Sequence, residues 1–370
     1  MSLHLDQHFT VYRDARHYCG PGPGVAAYPD GEWVVTFRRV PSWLSEGSAG
    51  HWHPATESCL TRSRDGGRTW STPQAFWAGG QCPCLARLAD GALVHHTHRM
   101  ELVEPAVYER VIGCGPGSDS APGARSAPWP GIHAGTAVWR SEDRGQTWAE
   151  PVHLSGVPGL EPLHAQLPQP VAVRGNVLET SAGRLLVSAY TLGKPNVAHL
   201  YESLDGGRSW SWVAPIAADA NEACLYEAGS GDLLAFVRRN ADATVLNAAR
   251  SADGGHTWSA LVPVCRGFPA CAQRLPDGTG VLVYGFRFEE GYGVRARRLS
   301  GTGELADGEP ELVICDDGAV SDLGYPDVDL LPDGRVVVVY YTNSKSDVAD
   351  APQGEAGRVP RYIEGCVIGH

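Results

Sequence analysis

An all-β chain folded as a six-bladed β-propeller of four-stranded blades is what this 370-residue sequence predicts, and three observations predict it. The first is an eight-residue phrase, Ser-x-Asp-x-Gly-x-Thr/Ser-Trp, at Ser63–Trp70, Ser141–Trp148, Ser203–Trp210 and Ser251–Trp258. The second is an interleaved unit of apolar strand, Asp-Gly-like turn and apolar strand, which recurs six times. The third is composition: 45 Gly, 27 Pro and 11 Trp with 19% charged residues suit many short strands and tight turns and few helices. A repeated unit that cannot bury its own apolar face must stack against its neighbours, in a ring or a solenoid.

The phrase has the chemistry of a tight hairpin. Asp accepts backbone N–H bonds across the turn, Gly takes a positive φ, and Thr/Ser-Trp begins the returning strand. Its aspartates, Asp65, Asp143, Asp205 and Asp253, read as turn staples, and its tryptophans as packing between blades. The inner hairpins are expected at 25–37 around Asp30-Gly31, 85–98 around Asp90-Gly91, and 177–190 around Ala182-Gly183. The remaining three lie at 223–237 around Ser230-Gly231, 270–286 around Asp277-Gly278, and 325–341 around Asp333-Gly334. Units one to four each add a phrase hairpin. In unit five, 293–299 followed by Ser300-Gly301-Thr302-Gly303 reads as a degenerate outer hairpin. Unit six ends at 361–368 and needs a strand from the N-terminus, 9–12, to close the ring. One domain spanning 1–370 is expected. Long connections fall at 41–54, 101–133, 151–174 and 344–360, and the Gly/Pro/Ser-rich part at 115–128 reads as a mobile flap or a surface excursion.

A formal charge of −12 argues against nucleic acid or an anionic membrane as partner, while leaving room for a local basic pocket. Residues 1–10 show neither a basic nor an apolar signal region, and no apolar run is long enough to span a bilayer, so a cytoplasmic location is expected. The ten scattered cysteines read as reduced, buried small side chains. Cys82-Pro83-Cys84 is too tight for a zinc knuckle and has no second pair at suitable spacing, so neither metal nor cofactor is expected.

With these repeats the chain resembles the sialidase (neuraminidase) superfamily of BNR-repeat, or Asp-box, proteins over nearly its whole length. The resemblance implies a carbohydrate substrate and an axial site. Three arginines there grip a carboxylate, a Tyr nucleophile is activated by a Glu, and an Asp acts as acid/base. Guanidinium forks suit a carboxylate, and a neutral Tyr avoids the repulsion that an anionic nucleophile would meet. Asn221 to Leu225 with Leu233 to Asn240 is similar to the family strand pair carrying the Glu and the second Arg. It implies Glu222 as base and Arg238 or Arg239 as clamp. Gly324-Tyr325-Pro326 is similar to the nucleophile strand and implies Tyr325; Arg287 is implied as the third Arg, with Arg295 its rival. Two family positions have no match. The stretch 17–24, where the first Arg is expected, contains none, and Arg38 or Arg39 is the expected substitute. The stretch 50–57 offers His51, His53 and Glu57 but no Asp, which makes His53 or Glu57 the expected acid/base.

His51, His53, His95, His96, His98, His133 and His164 crowd the early blades, each more simply a hydrogen-bonded structural histidine. As a group they suggest a histidine-lined active-site wall in which His takes the role of the missing Asp, with His133 the other candidate for it, and with His51 and His133 as substrate contacts. Asp327 and Asp329 alternate along the Tyr325 strand, as pocket acids or as polar residues near a turn. The expected function is that of a divergent sialidase-like glycoside hydrolase acting on a terminal acidic sugar. A polysaccharide lyase or non-sialic glycosidase working through His and Tyr, and a non-catalytic carbohydrate-binding propeller, are the alternatives.

Overall fold

The structure, a computed structural model, describes residues 2–42, 55–114, 131–164, 166–193, 195–349 and 359–370. The described strands form six antiparallel sheets. Blade 1 has an inner strand in two pieces, His17–Cys19 and Gly24–Ala27, both paired with Trp33–Pro41, then Glu57–Ser63 and Gln74–Ala78. Blade 2 runs Gly80–Arg87, Leu93–Leu102, Gly131–Ser141 and Val152–His153. Blade 3 again has a divided inner strand, Val171–Ala172 and Val177–Glu179, before Leu185–Thr191, Val197–Ser203 and Ser211–Ala218. Blade 4 runs Ala220–Glu227, Leu233–Arg239, Val245–Ser251 and Val262–Arg266. Blade 5 runs Ala270–Arg274, Gly280–Phe286, Gly293–Leu299 and Leu312–Cys315. Blade 6 runs Gly324–Leu330, Val336–Thr342 and Tyr362–Gly369, and the N-terminal strand His4–Tyr12 completes it. The expected six-bladed ring, closed by the N-terminus, is what forms.

The second strands read as unbroken apolar runs because both faces of a blade are covered by its neighbours. Val336 to Tyr341 is buried throughout. Its alternate residues join two cores: Val336, Val338 and Tyr340 pack with blade 5, and Val337, Val339 and Tyr341 pack with blade 1. The core is thus a set of layers between blades, and each fully buried Val in it stabilises by about 1.5–3 kcal/mol.

The eight-residue phrases fold as expected. Asp65 Oδ1 accepts the N–H groups of Arg68 and Thr69 at 3.1 and 2.9 Å, and its other oxygen takes the Thr69 hydroxyl at 2.6 Å. Ser63 Oγ accepts the Gly67 N–H at 2.8 Å, and Gly66 and Gly67 take φ values of 71° and 82°. Trp70 packs on Phe9 of the closing strand, and Trp148 stacks on Phe76 of blade 1, with centroids 5.9 and 5.4 Å apart.

Three long connections carry more structure than the sequence suggested. Residues 101–133 include a helix, Pro105–Cys114, started by a proline at its first turn. Residues 344–360 include the short helix Lys345–Ala349. Residues 151–174 supply the last strand of blade 2 and the first piece of blade 3. The flap expected at 115–128 lies outside the described residues.

Antiparallel alternation decides which end of the ring can be a site. Inner strands begin, and second strands finish, at one end. The Asp-phrase turns follow the third strands and so lie at the opposite end.

Candidate active site

The side chains that meet on the axis come from the first residues of the inner strands and the last residues of the second strands, and β-bulges aim those of the inner strands there. Pairing registers slip between Gln81 and Cys84, between Ala220 and Ala223, and between Gly324 and Asp327. The extra residues in these slips include Cys82, Glu222 and Tyr325, one from each alternate blade. A bulge turns a side chain out of the regular in–out alternation. Cys82 and Tyr325 take φ values of 53° and 47°, uncommon for residues with a side chain, and such conformations cluster at functional sites. Tyr325 keeps this shape because Gly324, at φ 96°, passes so close to blade 5 that a Cβ there would lie 2.8 Å from Gly285 Cα.

Tyr325 and Glu222 meet across the ring. The Tyr325 hydroxyl donates to Glu222 Oε1 at 2.5 Å, and Arg238 Nη1 donates to Glu222 Oε2 at 3.2 Å. Glu222 and Tyr325 are 5% and 7% exposed, so the pair is shielded from bulk water. Burial alone would raise the Glu222 carboxyl, but Arg238, Arg174 and the Tyr325 hydroxyl outweigh it, and the group sits below the usual carboxylate range. Burial, then Glu222, pushes the Tyr325 phenol well up, with Arg174, Arg287 and Arg238 opposing. The resting state is therefore a carboxylate facing a neutral phenol.

Arg287 crosses the Tyr325 ring at 5.0 Å from its centroid, donates twice to the Leu323 carbonyl at 2.9 and 2.6 Å, and reaches the Tyr341 hydroxyl at 3.1 Å. Its rival, Arg295, lies elsewhere: it donates to Gly291 O at 3.1 Å and sits 4.7 Å over the Phe286 ring. Arg239 points to the opposite face from Arg238 and pairs with Asp219 at 3.4 Å. Arg38, 1% exposed, lies so close to Gly20 that a Cβ there would be 2.1 Å from Nε. Its guanidinium thus fills the stretch where the sequence lacks the first arginine. Arg39 faces the other way and pairs with Glu57 at 3.0 Å beneath Tyr12. That contact corrects the expectation for Glu57, since residues 39 and 57 are register partners on the face opposite Arg38. His51 and His53 lie outside the described residues.

His133 also departs from expectation. It lies within the strand Gly131–Ser141, 3% exposed, with its ring stacked on His98 at 5.4 Å and 6°. Burial, and then Arg174, lowers His133 to about 3, and His98 falls well below its ordinary value, so this pair stays neutral and cannot replace a carboxyl acid. His95, between Phe76 and Trp139, is structural, its Nδ1 bonded to the Cys84 carbonyl at 2.9 Å. Asp327 and Asp329 do not reach Glu222. They accept the N–H groups of Val25 and Ala27 at 2.8 and 2.7 Å and tie blade 6 to blade 1. Below Tyr325 the axis narrows to a space of about 20 Å³, room for about one water. It then opens into a separate vestibule of about 410 Å³ at the far end.

Sequence reasoning missed two features. Arg174, from the gap between the two pieces of blade 3's inner strand, sets Nη1 3.4 Å from the Tyr325 hydroxyl and Nε 3.7 Å from Glu222. Asp322, with its side chain 43% exposed, takes a hydrogen bond from the Tyr341 hydroxyl and pairs with Arg361 at 2.9 Å. The signal for Arg174 was available: Arg174-Gly175-Asn176 directly precedes an inner-strand apolar run, as Asn221-Glu222 does in blade 4. Among the described residues no group of three or more His, Cys, Asp or Glu is arranged to hold a metal, and no helix is long and apolar enough to cross a membrane.

A family model described as BNR repeat-like domain matches residues 124–338, more than half of the chain. The chain belongs to the BNR repeat-like family. A sequence comparison with curated proteins finds no match. Among solved structures, this BNR-repeat ring is similar to a Dyadobacter fermentans protein of unknown function at 29% identity, with a TM-score of 0.83 and 99% of each chain covered. It is also similar to the NanB sialidase of Streptococcus pneumoniae, at 12% identity and a TM-score of 0.66 over 97% of this chain and 70% of that one. A Trypanosoma rangeli sialidase in complex with sialic acid matches at 13% identity and 0.62, over 98% of this chain and 59% of that one. At these identities the sialidase likeness shows the fold.

Proposed function

We propose that this protein is a glycoside hydrolase that cleaves a terminal acidic sugar with retention. The observation that carries the reading is the 2.5 Å contact between Tyr325 and Glu222 in a centre lined with arginine. Glu222 takes the phenolic proton and Tyr325 attacks the anomeric carbon. The leaving oxygen takes a proton from the open side, where the described residues offer Asp322, which enters this step as the carboxylic acid and leaves it as the carboxylate. Water then gives a proton to Asp322 and attacks the anomeric carbon, and the Tyr325–sugar bond breaks as Glu222 returns the proton. Arg238 and Arg287 hold the sugar's carboxylate, and their unused N–H groups supply the charge-assisted bonds.

Chromogenic glycosides of sialic and uronic acids, compared with neutral sugars, test this. Wild type should release chromophore from an acidic glycoside, with Tyr325→Phe and Glu222→Gln each reducing kcat at least 1000-fold, on the order of the loss of a nucleophile. Turnover of neutral glycosides only, or equal turnover in both variants, would sink the reading. An unsaturated, ultraviolet-absorbing product would replace hydrolase by lyase.

A further inference from the structure

We propose that Arg174 is a catalytic residue of this centre, whose guanidinium carries the negative charge that Tyr325 acquires when its proton passes to Glu222. The inference rests on the reading of Tyr325 and Glu222 as the nucleophile pair, and it concerns a residue outside the carboxylate clamp.

The position of Arg174 is built, not incidental. Gly175, the next residue, is pressed so hard on blade 4 that a Cβ there would lie 1.9 Å from the Ala223 carbonyl oxygen. Asn176 then locks the segment to the same strand: its side-chain amide donates to Leu225 O at 2.9 Å, and its oxygen accepts Leu225 N–H at 2.8 Å. Three consecutive residues of blade 3 are thus fixed to the strand bearing Glu222. The guanidinium lies 5.5 Å from the centroid of the Tyr325 ring, with Nη1 directed at the hydroxyl.

The arginines around the pair are not equivalent. Arg287 spends Nε and Nη2 on Leu323 and Tyr341. Arg238 has a direct hydrogen bond to Glu222. Arg174 sets Nη1 3.4 Å from the phenol and Nε 3.7 Å from Glu222 Oε1 and also interacts with the Tyr190 hydroxyl, and its Nε, like that of Arg238, is buried without a hydrogen-bond partner. Buried polar groups of native proteins are nearly all paired, and an unpaired one beside a reacting pair is open to a catalytic role. The residues behind it are neutral: the stacked His98 and His133 add no charge that would compete.

Proton transfer from Tyr325 to Glu222 moves a negative charge from the carboxylate, which Arg238 bonds directly and Arg174 Nε faces at 3.7 Å, to the phenol oxygen, which Arg174 Nη1 faces at 3.4 Å. The Arg174 guanidinium therefore interacts more strongly with the transferred state than with the resting one, which is the condition for accelerating a step and not merely binding its reactant. The same charge favours Tyr325 as leaving group when water displaces it.

The test separates this role from turnover. With 3-nitrotyrosine installed at Tyr325, the phenol titrates visibly. Arg174→Met should raise its midpoint by at least one pH unit, with Arg174→Lys in between. In the natural protein, Arg174→Met should cut kcat on the order of 100- to 1000-fold, as loss of one anion-stabilising donor does, with KM changed less. An unmoved nitrotyrosine midpoint in correctly folded Arg174→Met protein, or a loss confined to KM, would overturn the proposal. If Arg174→Met fails to fold, Arg174→Lys decides by the same midpoint. A shifted midpoint in a protein that turns over no glycoside would leave the Arg174–phenol coupling standing and remove the hydrolase reading instead.

Discussion

Glu222 is held among opposite charges, and that makes its stability role different from its neighbour's. It is the counter-ion of Arg238 and, at 3.7 Å, of Arg174. Removing its charge leaves two buried guanidiniums without compensation, a change that costs about 3–5 kcal/mol. Tyr325→Phe removes one hydroxyl and leaves the Glu222–Arg238 pair intact. Thermal denaturation should therefore show Glu222→Gln several degrees or more below wild type and Tyr325→Phe within about 3 °C of it, although both are inactive by the reading above. Equal melting temperatures would mean that Glu222 is not the counter-ion the geometry makes it. Glu222, Tyr325, Arg238 and Arg287 were legible because each sits beside a hairpin motif that the chain repeats. Arg174 was overlooked although its place before an inner-strand run could be read, because it ends a 24-residue connection, 151–174, that carries no repeat of its own. Glu57 misled because sequence distance from the first Asp-phrase says nothing about sheet face, and a one-residue step reverses it.

The inner strand is the element that converts repetition into a site. Its bulges were not legible: period-two patterning announces the strand and is silent on where pairing slips. The Asp-phrases, by contrast, were fully legible, since side-chain-to-backbone contacts within eight residues are local chemistry. The two elements should separate under mutation. Gly324→Ala sets a Cβ 2.8 Å from Gly285 Cα at a φ of 96°, so it should cost about 1–3 kcal/mol and shift Tyr325 enough to reduce kcat/KM more than tenfold. Asp205→Ala releases the N–H groups of Arg208 and Ser209 and the Ser209 hydroxyl at the other end of the ring. It should lower Tm by a few degrees and leave kcat and KM within twofold. Melting curves and steady-state kinetics on the same preparations check both. A kinetic defect in Asp205→Ala, or full activity in Gly324→Ala, contradicts the division of labour between the ends.

At the scale of the whole ring, stability rests on how blade 6 meets blade 1, and that seam should respond to pH. Besides the apolar layer, two contacts hold it: the N-terminal strand paired along Tyr362–Gly369, and Asp327 and Asp329 bonded to backbone N–H groups of Gly24–Ala27. The first was legible from the missing strand in unit six. The second was not, because alternating aspartates on a strand look the same whether they face solvent or a neighbouring blade. Burial raises Asp327 to about 7, against the hydrogen bond from Val25, with Asp329 adding to the rise. Burial also raises Asp329, although Arg87 lies 3.5 Å from its carboxylate. A carboxyl whose folded value is raised keeps its proton longer in the folded state than in the unfolded one. Its contribution is complete below the unfolded value, near 3.8, and is lost as pH rises through about 7. The Asp-phrases act in the reverse sense: Asp65, Asp143 and Asp205 are lowered to about 2, so their contribution is present above the unfolded value and lost as pH falls toward 2. Tm should thus peak in mildly acidic buffer and fall on both sides. Asp327→Asn keeps the shape and an acceptor for the Val25 N–H but cannot ionise, so it should remove much of the fall between about pH 4 and 7 and none of the fall at lower pH. Glu364, raised to about 7 mainly by burial, contributes to the same alkaline limb, and Glu364→Gln combined with Asp327→Asn should flatten it further. Differential scanning calorimetry from pH 3 to 9 measures both limbs. If Asp327→Asn leaves the alkaline limb as steep as in wild type, the buried carboxylate at the seam is not what makes the ring sensitive to base.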